Sequence, residues 1–287
     1  MEYIATICSL QDMPQLLRVD SFLIGHSFYA NRLSASFNQK QIIQAKKYCK
    51  ENHKKIYVLV NKIFTNSELN RLKKYLIFLK KIQVDGIFFC DFAVFEIAKE
   101  LHIENLLVFY HETFLKSATD LLAYHQIGIP RCVFSKDATI KDICSLKPEY
   151  KDFAGVIVQG YVPIYYSKRK ILSNFYRVNH FKKPKNFNEG FFLKEKIRED
   201  FYPVIENKSG TLVFLPTPLS YIESILTLKD HLSFIIFDNI FENINDLIQW
   251  IHLYQKVLNE NQMIQDLDLK NFSSGFLFKK NRIGVKT

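Results

Sequence analysis

Five polar residues of kinds that serve in binding and catalysis stand just after short apolar runs of this 287-residue chain. They are Asn61, Asp91, His111, Glu112 and Gln159. Imidazole titrates near neutral pH, so His111, like His26 after an earlier run, could act as an acid or a base. Asp91 could bind a metal ion or orient a base. Each also has a structural alternative, because Asp favours the N-cap of a following helix and a histidine can serve only as a hydrogen-bonding partner.

The apolar runs have the length and composition of strands buried on both faces. They are rich in Val, Ile and Phe, as in parallel sheets, and lie at 4–8, 22–24, 56–60, 87–90, 106–110, 132–134, 156–158 and 234–237. Helix-like stretches follow most of them, at 39–51, 67–81, 92–101, 114–125, 139–146, 220–228 and 243–259. Eight strand and helix units predict an α/β fold, a (β/α)₈ barrel of the TIM type that forms one domain over 1–287. Active sites of this fold lie at the carboxyl ends of the strands, so we expect Asn61, Asp91, Glu112 and Gln159 to converge on one face.

About seventy residues separate the seventh run from the eighth, far more than an ordinary loop needs. Short strands near 191–197, 202–206 and 211–215 predict an inserted β-rich subdomain at 160–216. Its first part, 165–188, has seven Lys or Arg residues and no acid, interleaved with aromatic residues. Cations and aromatic faces are what single-stranded nucleic acids need, although a solvated basic loop is an equal alternative. The insertion is expected to lie over the barrel mouth.

The composition and the absence of several motifs exclude some classes of function. The 39 Lys and Arg residues exceed the 29 Asp and Glu residues, a net charge of +10 that favours an anionic partner. No apolar stretch reaches the roughly 18 residues of a membrane span, which predicts a soluble, cytoplasmic protein with no membrane partner. The five cysteines form no C-x-x-C pair, and we expect reduced thiols and no metal site. No H-E-x-x-H, G-x-S-x-G or glycine-rich phosphate loop is present.

Seven segments in order along the chain resemble motifs of one protein family. They are 31–38 (NRLSASFN), 55–61 (KIYVLVN), 84–91 (VDGIFFCD), 110–114 (YHETF), 159–174 (QGYVPIYYSKRKILSN), 192–203 (FLKEKIREDFYP) and 274–278 (SGFLF). Together they resemble peptidase family U32, the collagenase-like peptidases. The resemblance implies a barrel related to enzymes that hydroxylate nucleic acid bases or quinone precursors, including 5-hydroxyuridine formation at the tRNA wobble position.

The resemblance also bears on the cofactor and the partners. Many family members hold an iron–sulfur cluster with four cysteines, two of them beside the position that matches 161–171, and this chain has none there. The pattern resembles the shorter, cluster-free subunit found beside a longer, cysteine-bearing paralogue. It therefore implies no cofactor on this chain, an iron–sulfur cluster on the partner only, and a heteromer that acts on tRNA.

The leading hypothesis is a subunit of a tRNA wobble-uridine (U34) 5-hydroxylation system. Asn61, Asp91 and Gln159 would orient a flipped base, and Arg32, Lys168 and Arg169 would hold phosphate or a carboxylate donor. Tyr166, Asn174 and Arg177 complete the predicted RNA-binding set. Two alternatives stay open: a peptidase or other hydrolase, as the family name says, and a non-catalytic scaffold for the paralogue.

Overall fold

The computed structural model describes residues 1–184, 190–197, 199–263, 267 and 269–278. Its strands are β1 (Glu2–Thr6), β2 (Ser21–Gly25), β3 (Lys55–Val60), β4 (Gly86–Phe89), β5 (Leu107–Tyr110), β6 (Arg131–Phe134), β7 (Ala154–Gly160), β8 (Pro163–Ser167), β9 (Phe192–Lys194), β10 (Phe201–Asn207), β11 (Gly210–Phe214), β12 (Leu219–Ser220) and β13 (Phe234–Phe237). Its α-helices are α1 (Gln39–Glu51), α2 (Leu69–Lys81), α3 (Phe92–Glu100), α4 (Ala118–Gln126), α5 (Ile140–Cys144), α6 (Ile171–Val178), α7 (Ile225–Leu228) and α8 (Ile244–Glu260).

Eight parallel strands close into a barrel. Strands β1 to β7 pair in sequence, and β13 closes the ring by pairing with both β7 and β1. The predicted TIM-type barrel is therefore confirmed, and each of the eight predicted strands overlaps one barrel strand. One continuous cluster of buried apolar side chains joins all eight strands to every described α-helix except α6. Burial on both faces is why these strands read as uninterrupted apolar runs.

The strand register places the polar strand ends next to each other. Val60 of β3 pairs with Phe89 of β4, so Asn61 and Cys90 leave the barrel side by side. The Cys90 thiol lies 3.2 Å from the carbonyl oxygen of Asn61, which agrees with this pairing. Because all barrel strands run parallel, these residues emerge at the same end of the barrel as those that follow β5, β7 and β13.

Two predicted helices begin later than their apolar pattern indicated. The helix predicted at 114–125 starts at Ala118, because the Ser117 hydroxyl caps it by accepting a hydrogen bond from the Asp120 N–H. The stretch 220–228 is not one helix, since Ser220 belongs to β12, which pairs antiparallel with β7. Among the described residues, none of the helices is both long and apolar enough to span a membrane.

A second, antiparallel sheet lies between β7 and β13 in the chain. It has the order β8-β11-β10-β9 and is called the insertion sheet below. Helix α6 packs on it through Leu172, against Tyr202, Val204 and Val213. Strands β9, β10 and β11 fall where short strands were predicted, whereas β8 and α6 lie in the basic segment and were not foreseen. Residues 185–188 of that segment lie outside the described residues.

A tight turn fastens the insertion sheet to the barrel. The turn joins β10 to β11, and the side-chain amide of Asn207 donates to the carbonyl of Asn31 in the loop after β2, at 3.0 Å. Gly210 ends the turn with φ +138°, and a Cβ there would lie 2.0 Å from the carbonyl oxygen of Ser167. Only glycine allows this approach of two backbones. The turn therefore sets where β8 stands relative to the barrel mouth.

Candidate active site

A cavity of about 330 Å³ opens at the carboxyl end of the barrel, between the barrel and the insertion sheet. Its barrel side is formed by Asn31, Asn61, Cys90, Tyr110, His111 and Glu112. Its other side is formed by Pro163, Ile164, Tyr165, Tyr166 and Leu212. The volume lies at the lower end of the range typical of small-ligand pockets, about 300–1,000 Å³. The cavity is thus built where barrel enzymes place their active sites.

Aromatic faces and amide groups define the chemistry of the cavity. The ring of Phe114 stacks on His111 with centroids 3.9 Å apart and planes 3° from parallel, and Phe114 is 60% exposed. The side-chain oxygen of Asn61 accepts a hydrogen bond from the backbone N–H of Asn31 at 3.3 Å. The Tyr166 hydroxyl donates to the carbonyl of Ser209 at 2.9 Å, which fixes its ring against the cavity. A flat ring with polar edges suits such a site.

A buried ion-pair network fixes Glu112 in the cavity wall. Arg32, only 2% exposed, lies 3.2 Å from Glu112 Oε1 and 2.8 Å from Asp238 Oδ2 through its two terminal nitrogens. The Tyr110 hydroxyl accepts from Arg32 and donates to Glu112 Oε1 at 3.0 Å, and the carbonyl of Tyr161 accepts from Arg32 at 2.7 Å. Two buried residues of the barrel, Arg32 and Tyr110, therefore hold the Glu112 carboxylate in place.

The charge of Arg32 is compensated within the fold. Burial alone would lower its pKa, but Tyr110, Asp238 and Glu112 outweigh burial and raise the pKa above its ordinary value. Arg32 was expected to hold an RNA phosphate or a carboxylate donor. The structure assigns its guanidinium to two carboxylates of the chain itself, so this expectation is corrected: Arg32 positions Glu112 and does not reach the solvent.

Two predicted catalytic residues stand at the same barrel end but do not line the cavity. Asp91 is the N-cap of α3, and its two oxygens accept from the N–H groups of Ala93 at 2.9 Å and Phe64 at 2.7 Å. Gln159 is fully buried within β7. The structure therefore brings Asn61, His111 and Glu112 together at the cavity and leaves Asp91 in its capping role.

His111 meets the cavity as a neutral ring. Burial lowers its pKa, and the nearby Glu112 offsets only part of that effect. Its Nδ1 accepts the backbone N–H of Thr113 at 3.2 Å. In a neutral imidazole the proton then sits on Nε2, so His111 offers a hydrogen-bond donor to a ligand.

The predicted RNA-binding residues divide into two groups. Tyr166 lines the cavity. Lys168 and Arg169, which follow β8, and Asn174 and Arg177, on α6, have exposed side chains outside the cavity wall. They lie on the insertion, apart from the residues that line the cavity.

Several site residues escaped the reading of the sequence. Asp238 follows β13 as Asn61 follows β3, and it was not among the predicted site residues although it has the same position at the end of a strand. Asn31 lies in a segment that resembled a family motif, but only the neighbouring arginine was singled out. Tyr110 and Phe114 lie in the segment 110–114 that resembled a family motif, but only His111 and Glu112 were singled out there.

The cysteines do not form the donor set of an iron–sulfur cluster. Cys8 follows β1, Cys49 lies in α1, Cys90 follows β4, Cys132 lies in β6 and Cys144 in α5. In the part of the chain that the structure describes, no three His, Cys, Asp or Glu side chains are grouped so that they could hold a metal ion. Four thiolates around one centre are needed for such a cluster, so this chain does not fit that cofactor.

Fold and cavity together define a TIM-type barrel protein with a cavity between the carboxyl end of the barrel and an inserted sheet. Residues 16–283 match the family model of peptidase family U32, so the chain belongs to that family. It is 27% identical over 235 residues to the tRNA hydroxylation protein P2 of Bacillus subtilis. The aligned region covers 80% of this chain and 76% of that protein. An uncharacterized protease of Methanocaldococcus jannaschii is 22% identical over 130 residues, 44% of this chain and 31% of that protein.

A solved structure of a U32 peptidase has the same fold. It superposes with a TM-score of 0.54 at 9% identity and covers 83% of this chain and 92% of the other. This likeness supports the barrel and its topology. The family resemblance inferred from the seven sequence segments is thus confirmed.

Proposed function

We propose that this chain is a subunit of a tRNA hydroxylation system that acts on the wobble uridine, position 34, together with a longer paralogue that carries an iron–sulfur cluster. The observation that carries the proposal is the cavity of about 330 Å³, which is lined both by the side-chain amides of Asn31 and Asn61 and by several aromatic rings. Enzymes that modify a base take it out of the stack, read its edge by hydrogen bonds and hold its face against aromatic or apolar side chains. The relative named a tRNA hydroxylation protein, 27% identical to this chain, supports the same reading.

The residues of the cavity take complementary roles in this proposal. Asn61 and the Nε2–H of His111 bind the polar edge of the uracil ring, and Glu112, held by Arg32, accepts a hydrogen bond from the base or its sugar. Tyr165 and Phe114, which are 49% and 60% exposed, cover the face of the base and gain burial when it enters. In this proposal the partner holds the iron–sulfur cluster, which is consistent with the cysteines of this chain not fitting one.

The test uses a strain that lacks the gene and is complemented with variants of the full chain. Total tRNA is digested and its nucleosides are measured by mass spectrometry. The deletion should abolish or lower 5-hydroxyuridine-derived nucleosides at position 34, and the wild-type gene should restore them. Asn61→Ala should restore little, whereas the matched control Asn52→Ala, at the C-cap of α1 and at the opposite end of the barrel, should restore them fully.

An unchanged level of these nucleosides in the deletion strain, with no second copy of the gene present, would refute the proposal. If Asn61→Ala restores the nucleosides as well as the wild-type gene does, this chain would have only a scaffold role. Loss of the nucleosides only when the longer paralogue is also absent would point to redundancy between the two subunits and contradict the heteromer.

Peptide hydrolysis is the second candidate, because the chain belongs to a family named for peptidases. Cys90 is the thiol that lines the cavity. Burial, and then the carboxylates of Asp91 and Glu112, raise its pKa to about 12, so the thiol is protonated and a poor nucleophile at neutral pH. Within the described residues, His111 is not grouped with further His, Cys, Asp or Glu side chains that could hold a catalytic metal ion with it. The cavity therefore favours base recognition over proteolysis.

A further inference from the structure

Three exposed cations lie on the barrel rim beside the cavity, and they are called the rim cations below: Arg71, Lys168 and Lys208. Arg71, in the first turn of α2, lays its guanidinium on the ring of Phe28, 3.5 Å from the ring centroid. Lys208 is in the turn between β10 and β11, and Lys168 directly follows β8. Within the described part of the chain, none of the three is in an ion pair with a carboxylate. Lys62 shares the Phe28 ring at 4.3 Å but is paired with Glu68.

The rim cations are neighbours although they come from different elements. The Arg71 guanidinium lies 5.9 Å from the ring centroid of Tyr29, in the loop after β2, and Ser209 of the Lys208 turn lies 3.5 Å from the carbonyl of Ala30, the next residue of that loop. The Lys208 turn backs onto the end of β8, since a Cβ on Gly210 would lie 2.9 Å from the Cα of Lys168. One continuous positive strip therefore runs from α2 across the loop after β2 to the insertion sheet.

The strip borders the cavity through two hydrogen-bonded links. Asn31 lines the cavity, and its backbone carbonyl accepts a hydrogen bond from the side-chain amide of Asn207, next to Lys208 in the turn, at 3.0 Å. Tyr166, which also lines the cavity, donates to Ser209 of the same turn at 2.9 Å. A base in the cavity would thus lie beside the rim cations. The turn that contains Lys208 would separate the two, and this turn is hydrogen-bonded to the cavity wall.

This arrangement matches the chemistry of a phosphodiester backbone. Like charges that gather without a compensating acid repel each other and favour binding of a polyanion. Arg71 is held flat by Phe28, so less side-chain entropy is lost when it binds an anion. We propose that the rim cations bind the phosphates of the nucleotides that flank the base in the cavity. This deepens the proposed function and rests on it.

The test measures binding of an unmodified anticodon stem-loop RNA to the full chain at several salt concentrations. In Arg71→Ala/Lys208→Ala the slope of log affinity against log salt should fall by about 1.4–1.8, since each phosphate contact contributes about 0.7–0.9. The matched control removes two exposed lysines at the other end of the barrel, in the last turns of α1 and α2, as Lys50→Ala/Lys81→Ala. The control should keep the wild-type slope. Arg71→Lys/Lys208→Arg, which retains both charges, should recover most of the lost slope, because the slope depends on the number of phosphates that the cations neutralise.

Three results would overturn the assignment of the rim cations. An alanine variant that binds the RNA with the wild-type slope overturns this inference alone and leaves the proposed function intact. A wild-type chain that does not bind the RNA, alone or with its paralogue, overturns both. A variant that keeps RNA binding but loses the longer paralogue would assign the strip to an acidic protein surface instead.

Discussion

Replacing Arg32 by methionine should destabilise the protein strongly, because two carboxylates depend on this guanidinium. Removing one partner of a buried ion pair costs about 3–5 kcal/mol, since the remaining charge is left without compensation. Glu112 is 24% exposed in its side chain and can turn to water, whereas Asp238 is 6% exposed and cannot. The loss should therefore come mainly from Asp238. Urea unfolding of Arg32→Met at pH 7 measures it, and a free energy of unfolding within about 1 kcal/mol of the wild type would refute the network as described.

The double variant Arg32→Met/Asp238→Asn separates the charge from the shape of the site. With Asp238 neutralised, the double variant should regain at least about half of the lost free energy, because an uncompensated buried charge costs more than a neutral amide. Arg131→Met is the matched control: its pair with Glu2, 2.9 Å apart, lies at the amino end of the barrel and Arg131 is 23% exposed. This control should lose less stability and leave tRNA modification unchanged. A double variant no more stable than Arg32→Met would contradict the argument.

Two further outcomes follow from the titrating groups near the site. Burial, and then the charges of Asp238 and Asp246, raise the pKa of Glu242 from 4.5 to about 8, so the folded state should lose stability as pH rises from about 4.5 to about 8. At pH 8, urea unfolding of Glu242→Gln should show up to about 5 kcal/mol less of this pH-dependent loss of stability than the wild type does. The prediction is contradicted if the free energy of unfolding depends on pH in the same way in both proteins. The purified protein should not cleave gelatin, because the Cys90 thiol is protonated at neutral pH. Gelatin cleavage that disappears in Cys90→Ser would show that the peptidase alternative holds.

The barrel could be predicted from the sequence because burial on both faces leaves a local mark, an uninterrupted apolar run. The strand-end residues of the site were also visible, but their roles were not. Asn61 and Asp91 look alike in the sequence, and they differ in the distance to the next helix. Helix α3 begins directly after Asp91, which must then cap it, whereas α2 begins only at Leu69 and leaves Asn61 free to face the cavity.

Long-range pairing explains what the sequence did not reveal. A lone arginine such as Arg32 reads as a surface cation, and its burial depends on Asp238, which lies more than two hundred residues away along the chain. The basic segment reads as a loop because β8 is a strand only through its antiparallel pairing with β11. Neither the partner of Arg32 nor the strand that pairs with β8 can be identified from residue spacing, because no local sequence pattern connects the members of either pair.

The polar groups and the aromatic rings of the cavity differ in how firmly they are held, and this difference bears on how a ligand would be selected. Asn61 and Glu112 are held by hydrogen bonds and ion pairs that belong to the buried barrel, so their polar atoms keep their positions before a ligand binds. Phe114 and Tyr165 are largely exposed and gain burial only when a ring covers them. Fixed polar groups reject a ring whose donors and acceptors do not match, whereas stacking accepts any base. Selection of one base should therefore rest on the barrel side, and affinity for any unstacked base on Phe114 and the insertion sheet.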